Sequence, residues 1–192
     1  MSKFLLVGLG NIGAEYDGTR HNIGFDIADA AARKHEAFFT TERLAQVARF
    51  RVKGKIVTCI KPTTYMNLSG KSVKYWMDKE SVPLENILVM VDEVALPLNK
   101  IRLRPGGSSA GHNGLRSIEE SLLTDKYPRL RFGIGNNYPK GMQVEYVLGK
   151  WFPEDLPLVK LKTEKCVEIV ETFVTAGLER AMNMYNKLEF SL

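Results

Sequence analysis

The sequence predicts an α/β fold: a single domain on a twisted mixed β-sheet, flanked by helices and ending in a long C-terminal helix. Three observations carry this reading. Strand-like and helix-like periods alternate along the chain. One run, Ile87–Val91, is apolar at every position, as in a strand covered on both faces. From Leu156 onward an apolar stripe of Val170, Phe173, Val174, Ala181, Met182 and Tyr185 repeats at helical spacing.

Taken in order, Phe4–Val7 reads as a buried strand and Ile23–His35 as a helix carrying Phe25, Ile27 and Ala28. Ala45–Val52 and Ile56–Lys61 flank Lys53-Gly54-Lys55, a hairpin signal. Ser69–Lys79 places Val73, Trp76 and Met77 at i, i+3 and i+4 of a helix. Ile101–Arg104 alternates apolar and basic residues, as a half-exposed strand does. A Gly/Ser loop, Pro105–Gly111, precedes a helix from about Asn113 to Leu123. Leu130–Ile134 and Val144–Leu148 read as two further strands, and the final helix is interrupted at Gly177. No repeat, linker or low-complexity tract divides the chain, so residues 1–192 are expected to form one domain.

Composition narrows the class. The 192 residues are 44% hydrophobic and 26% charged, ordinary for a globular protein with a real core. The apolar run after Lys3 is too short for a signal peptide and no stretch reaches membrane-spanning length, so a cytoplasmic protein is expected. Cys59 and Cys166 sit among apolar neighbours and read as buried thiols; neither has Cys or His at zinc-ligand spacing, and no acid cluster suggests a metal. The net charge of +5 is locally concentrated. Lys100, Arg102, Arg104, Arg116, Lys126, Arg129, Arg131 and Lys140 face only Glu119, Glu120 and Asp125 in that stretch, which suits a polyanionic partner.

Gly8, Gly10 and Gly13 fit G-x-G-x-x-G, the dinucleotide-loop pattern. That loop needs a helix to begin within the motif, so that its N-terminus meets the pyrophosphate. Here Asp17-Gly18 is a turn and no helical period starts before Ile23; the acid that would bind a ribose is missing too. The nucleotide-binding oxidoreductase reading fails on this context. An extended loop remains, displaying Asn11, Tyr16 and His21.

Of three histidines, His35 lies in a charged helix end and reads as solvated. His21 and His112 lie in glycine-rich loops beside an asparagine, where accessibility and a near-neutral pKa favour chemistry. Asp92 ends the all-apolar strand, where a carboxylate can fix the tautomer of a histidine. Asn67 stands just before a helix, either as its N-cap or as an amide for a peptide-like ligand. With Asn11 and Asn113 the set lacks an activated Ser or Cys, which fits a water attack served by a His base, an Asp orienter and amide donors.

The stretches VGLGNIGAEYDGTRHNIGF, KPTTYMNLSGKSV, ILVMVDEVALP, GGSSAGHNGLRSI, LRFGIG and VEYVLGKW together resemble the bacterial-type peptidyl-tRNA hydrolases, in family order across nearly the whole chain. The resemblance implies a monomeric cytoplasmic α/β esterase, without cofactor or metal, that frees tRNA from prematurely released peptidyl-tRNA. By motif it makes His21 the general base and Asp92 its orienter, with Asn11 and Asn113 fixing substrate or water and polarising the ester carbonyl. It assigns Asn67, Tyr16 and Met66 to the peptide and the tRNA 3′ end, His112 to ordering its loop, and Arg104 and Arg131 to a tRNA phosphate. The chain departs from the family pattern at Ile12, where proline is usual, and at Ala95, where a second acid is usual. Arg104 replaces a frequent lysine. A non-catalytic RNA-binding protein on the same fold is the competing expectation.

Overall fold

A computed structural model describes residues 2–192, so Met1 of the expected 1–192 domain lies outside the described residues. The elements are β1 (Lys3–Gly8), α1 (Ile23–Lys34), β2 (Thr40–Glu42), β3 (Ala45–Val52), β4 (Lys55–Pro62), α2 (Ser69–Glu80), β5 (Ile87–Glu93), β6 (Ile101–Arg104), α3 (Asn113–Leu122), β7 (Arg129–Gly133), α4 (Gln143–Val147), α5 (Leu156–Ala176) and α6 (Leu178–Tyr185). The seven strands form one sheet in the order β2-β3-β4-β1-β5-β7-β6. β4, β1, β5 and β7 run parallel at its centre, while β2, β3 and β6 are antiparallel additions at the edges.

Period-two alternation sorts each central strand between two helical layers. Phe4 and Leu6 of β1, with Leu88 and Met90 of β5, face α1, α5 and α6. Leu5, Val7, Val89 and Val91 face the other way, against Val73 and Trp76 of α2 and Leu115 and Ile118 of α3. Both sides of β5 are therefore covered, which is why its five leading residues are all apolar. Each such side chain, brought fully out of water, contributes about 1.5–3 kcal/mol toward folding. Cys59 and Cys166 lie in the α1/α5 layer, and burial pushes each thiol up to about 12.

The glycines of the first loop serve close packing. A Cβ on Gly8 would lie 2.2 Å from the Gly24 carbonyl oxygen, and one on Gly24 would lie 2.5 Å from the Leu9 amide nitrogen and the Met90 carbonyl oxygen. Strand β1 and helix α1 thus touch backbone to backbone. Between them the chain makes two 3₁₀ turns, Ala14–Tyr16 and Arg20–Asn22, and no helix begins at the motif's centre.

Three local expectations are corrected. Val144–Leu148 is not a strand: Gln143–Val147 forms α4 with Leu148 as its C-cap, no α4 residue is buried, and the segment pairs with no strand of the sheet. Asn67 does not cap α2: it lies inside a 3₁₀ turn, Met66–Leu68, and Leu68 holds the capping position without a side-chain bond. His35 is not simply solvated, since its ring stacks on Phe50 at 4.7 Å and its Nε2 lies 3.2 Å from Glu171. Strand β2 was not expected at all; at three residues it is too short to show a period.

Among the described residues, no helix is long and apolar enough to cross a membrane.

Candidate active site

From β1 the chain crosses to β4 on one side and then returns to β5 on the other, so the strand order reverses between β1 and β5. Crevices outside the carboxyl ends of strands at such reversals hold ligands in open α/β sheets. A cleft of about 340 Å³ opens there. It gathers Asn11, His21, Met66, Asn67, Asp92, His112 and Asn113, seven of the ten residues singled out from the sequence.

Asp92, the last buried residue of β5, is the centre. Its Oδ2 accepts from His21 Nδ1 at 2.8 Å and its Oδ1 pairs with His112 Nε2 at 2.9 Å. The side chain is only 3% exposed. Burial alone would raise its pKa, but the charges and hydrogen bonds of His112 and His21 hold it well below the usual carboxylate range. Burial likewise pulls His21 down, yet the Asp92 charge and its hydrogen bond outweigh this and leave the imidazole above 6.5.

The hydrogen-bond set assigns both tautomers. His112 caps α3: its Nδ1 accepts from the amides of Gly114 at 3.1 Å and Leu115 at 3.4 Å, so its hydrogen sits on Nε2, facing Asp92. His21 must donate from Nδ1, which leaves the Nε2 lone pair for the cleft. Three ligand-type atoms of His21, Asp92 and His112 lie within 4.8 Å of one another. With the tautomers assigned above, both nitrogens that face the carboxylate carry hydrogens, which a cation at that point would have to displace.

Asn11 is held just as firmly. Its Oδ1 accepts from the Met66 amide at 2.8 Å, while its main chain exchanges two bonds with the Asn22 side chain, N to Oδ1 at 2.8 Å and O from Nδ2 at 3.0 Å. Only the Asn11 NH₂ remains to face the cleft. Asn67 and Asn113 line the cleft from exposed positions, and Gln143, Val144, Val147 and Leu148 form an opposing wall with an apolar character.

Three expected residues stand apart. Tyr16 is half-buried in its own 3₁₀ turn, where its carbonyl accepts from the Thr19 hydroxyl at 2.8 Å, and it does not line the cleft. Arg104 is exposed at the end of the edge strand β6. Arg131 is already engaged: Nη1 pairs with Glu93 at 2.6 Å and Nη2 donates to the Ser108 carbonyl at 3.2 Å, tying the Gly/Ser loop to the end of β5.

A family model for peptidyl-tRNA hydrolase matches residues 5–191. The chain belongs to the peptidyl-tRNA hydrolase family. It is 50% identical to the peptidyl-tRNA hydrolase of Parabacteroides distasonis over 184 residues, spanning 96% of this chain and 98% of that protein. It is 45% identical to that of Gloeobacter violaceus over 99% of this chain and 97% of that one. The crystal structure of peptidyl-tRNA hydrolase from Acinetobacter baumannii superposes with a TM-score of 0.91 at 34% identity, covering 97% of this chain and 95% of that chain. This family member is an enzyme of the hydrolase class, on the mixed-sheet α/β fold expected from its sequence.

Reading the sequence missed three parts of this hydrolase's site. Asn22 was passed over, although its place beside His21 in Thr19-Arg20-His21-Asn22 hints at a shared turn. The sequence reading assigns the second imidazole on Asp92 only to loop ordering; a buried strand that ends in Asp92-Glu93, with two loop histidines elsewhere, is the available signal. The α4 wall went unseen because its residues were read as a strand.

Proposed function

We propose that this enzyme hydrolyses the ester between a peptide and the 3′ end of tRNA, with His21 as general base. The observation that carries the proposal is the 2.8 Å contact between His21 Nδ1 and Asp92 Oδ2, which turns the free Nε2 into the cleft. Nε2 takes a proton from a bound water as the water oxygen attacks the ester carbonyl. The tetrahedral intermediate then collapses, and the imidazolium returns the proton to the departing 3′ oxygen. Free tRNA and a peptide carboxylic acid result.

Asp92 is buried and keeps its charge, so it stabilises the imidazolium as it forms. The Asn11 NH₂, rigid because its other atoms are bonded, and the Asn113 amide are the donors offered to the developing oxyanion. Asn67 and Met66 line the path of the peptide and 3′ end, and the apolar α4 wall faces them. Tyr16 serves at one remove, by shaping the turn that delivers His21. His112 fixes Asp92 and the Asn113 loop together. Arg104 and Arg131 are proposed phosphate contacts, the latter once Glu93 releases it. The protein is proposed to act as a monomer in the cytoplasm, as one domain, without cofactor or metal.

Purified parent protein should release N-blocked aminoacyl groups from tRNA without added metal. His21→Ala should lower kcat by about 10²–10⁴-fold, the range of a positioned general base. Turnover that survives this substitution at the parental rate would sink the assignment.

A further inference from the structure

Arg20 stands next to His21, yet the chemistry above makes no use of it. Its side chain lies in a residue only 3% exposed, a rare place for a guanidinium. Among the described residues, no carboxylate pairs with it. Its cation sits instead among rings, 4.0 Å from the centre of Tyr146, 4.7 Å from Phe152 and 5.7 Å from Trp151. Nη1 donates to the Tyr146 carbonyl at 2.9 Å, while Nε and Nη2 are buried with no hydrogen-bond partner. The main chain of the same residue donates to the Gly149 carbonyl at 3.0 Å, and Thr19 bridges to Lys150. One residue, by backbone and side chain, therefore ties the turn that delivers His21 to the segment 146–152.

That segment needs a tie. None of the five residues of α4 is buried, and α4 touches no strand through sheet bonds. Yet Val144 and Val147 of α4, with Leu148, give the cleft an apolar lining. A desolvated guanidinium is costly unless compensated, and stacking on three aromatic faces compensates it only while those rings hold their places. Gly149 leaves room for the arrangement: a Cβ there would come 3.0 Å from Arg20 Nη1.

We propose that Arg20 is a positioning residue that locks the α4 wall at a fixed distance from His21 and so sets how tightly the peptide part of the substrate is held. The proposal rests on the hydrolytic reading of the cleft. It separates binding from chemistry, because the His21 ring is held by Asp92 and not by Arg20.

The test is steady-state hydrolysis of N-blocked peptidyl-tRNA by the full chain, comparing the parent with Arg20→Met, Arg20→Lys and Gly149→Ala. Hydrogen exchange at the amides of 143–148 is followed in parallel. Losing the stacked, forked donor should raise KM about tenfold in Arg20→Met and less in Arg20→Lys, which keeps the charge but not the plane. In both variants kcat and its pH midpoint should stay near the parental values, and exchange at 143–148 should quicken. Gly149→Ala should also raise KM, since its Cβ would lie 3.0 Å from Arg20 Nη1 and 3.1 and 3.2 Å from the Glu145 and Tyr146 carbonyls; Arg20→Lys, with its smaller KM rise and quickened exchange, carries the test if Arg20→Met does not fold. A purely structural role would instead shrink the active fraction, lowering kcat at constant KM. That pattern, or parental KM and exchange in Arg20→Met and Gly149→Ala, overturns the proposal. A parent without turnover would refute the hydrolytic reading, and unchanged exchange would still refute the lock.

Discussion

At Asp92, one carboxylate serves two imidazoles whose hydrogens both point at it. Asparagine has the same shape but only one acceptor, so Asp92→Asn must turn its NH₂ toward one of the two histidines. His112 cannot move its hydrogen to Nδ1 without losing the cap on Gly114 and Leu115. The amide then faces His21, which has to accept at Nδ1 and carry its hydrogen on Nε2, where no base remains. Asp92→Asn should therefore lower kcat about 10²–10⁴-fold with a modest loss of stability. The pH profile tests the same contact in the parent. A base works only when neutral, so the rate should rise with pH through the His21 pKa, which burial lowers but the Asp92 charge and hydrogen bond bring above 6.5. A rising limb centred below 6.5 would contradict that balance. This pairing was half-legible in the sequence: residue types and loop positions marked His21 and Asp92, but no spacing between positions 21, 92 and 112 encodes a shared carboxylate. Asn22 is only hinted at by its place beside His21, because its side chain works on the backbone of Asn11, eleven residues away.

At the level of elements, the contact between β1 and α1 sets where His21 stands. Gly24, the second residue of α1, stands three positions after His21, and its missing side chain lets the helix sit against Leu9 and Met90. Gly24→Ala would put a Cβ 2.5 Å from two backbone atoms that have no freedom to retreat. It should cost at least about 2 kcal/mol, read as a lower denaturant midpoint with an unchanged slope. Activity per folded molecule should fall as well, because the displaced turn carries His21 away from Asp92. An unchanged midpoint would mean that the helix slides freely on the sheet. The central strands were legible because burial on both faces leaves them apolar throughout. Element α4 was not. Val144, Tyr146 and Leu148 alternate as a strand would, yet Gln143–Val147 is a helix with Leu148 at its C-cap, and it joins neither edge of the sheet. Its place is set by contacts with residues far away in the chain, such as the bond from Arg20 Nη1 to the Tyr146 carbonyl.

Across the whole molecule, the basic stretch read from the sequence divides by burial and pairing. Arg129 is fully buried, donating to the Asp125 carbonyl, while Lys100 pairs with Glu189 and Arg131 with Glu93. Arg104, Arg116, Lys126 and Lys140 are exposed. Counting charges along a chain could not foresee this, because partners such as Glu189 arrive from the C-terminal end. The loop that follows Arg104 packs on the turn that carries Lys126: the Gly107 amide donates to the Asp125 carbonyl at 3.2 Å. On the proposed reading, this smaller surface would receive a phosphate backbone while its 3′ end reached His21. Each phosphate neutralised releases condensed counterions, so KM for a tRNA substrate should climb with salt while kcat stays level. Arg104→Ala should raise KM at low salt and reduce the slope of log KM against log salt by about one. A slope that Arg104→Ala leaves unchanged would remove Arg104 from the interface and shift the search to Arg116 and Lys140. The rate at saturating substrate should be parental in either case, since Arg104 lies away from the Asp92 centre and can act only on the encounter.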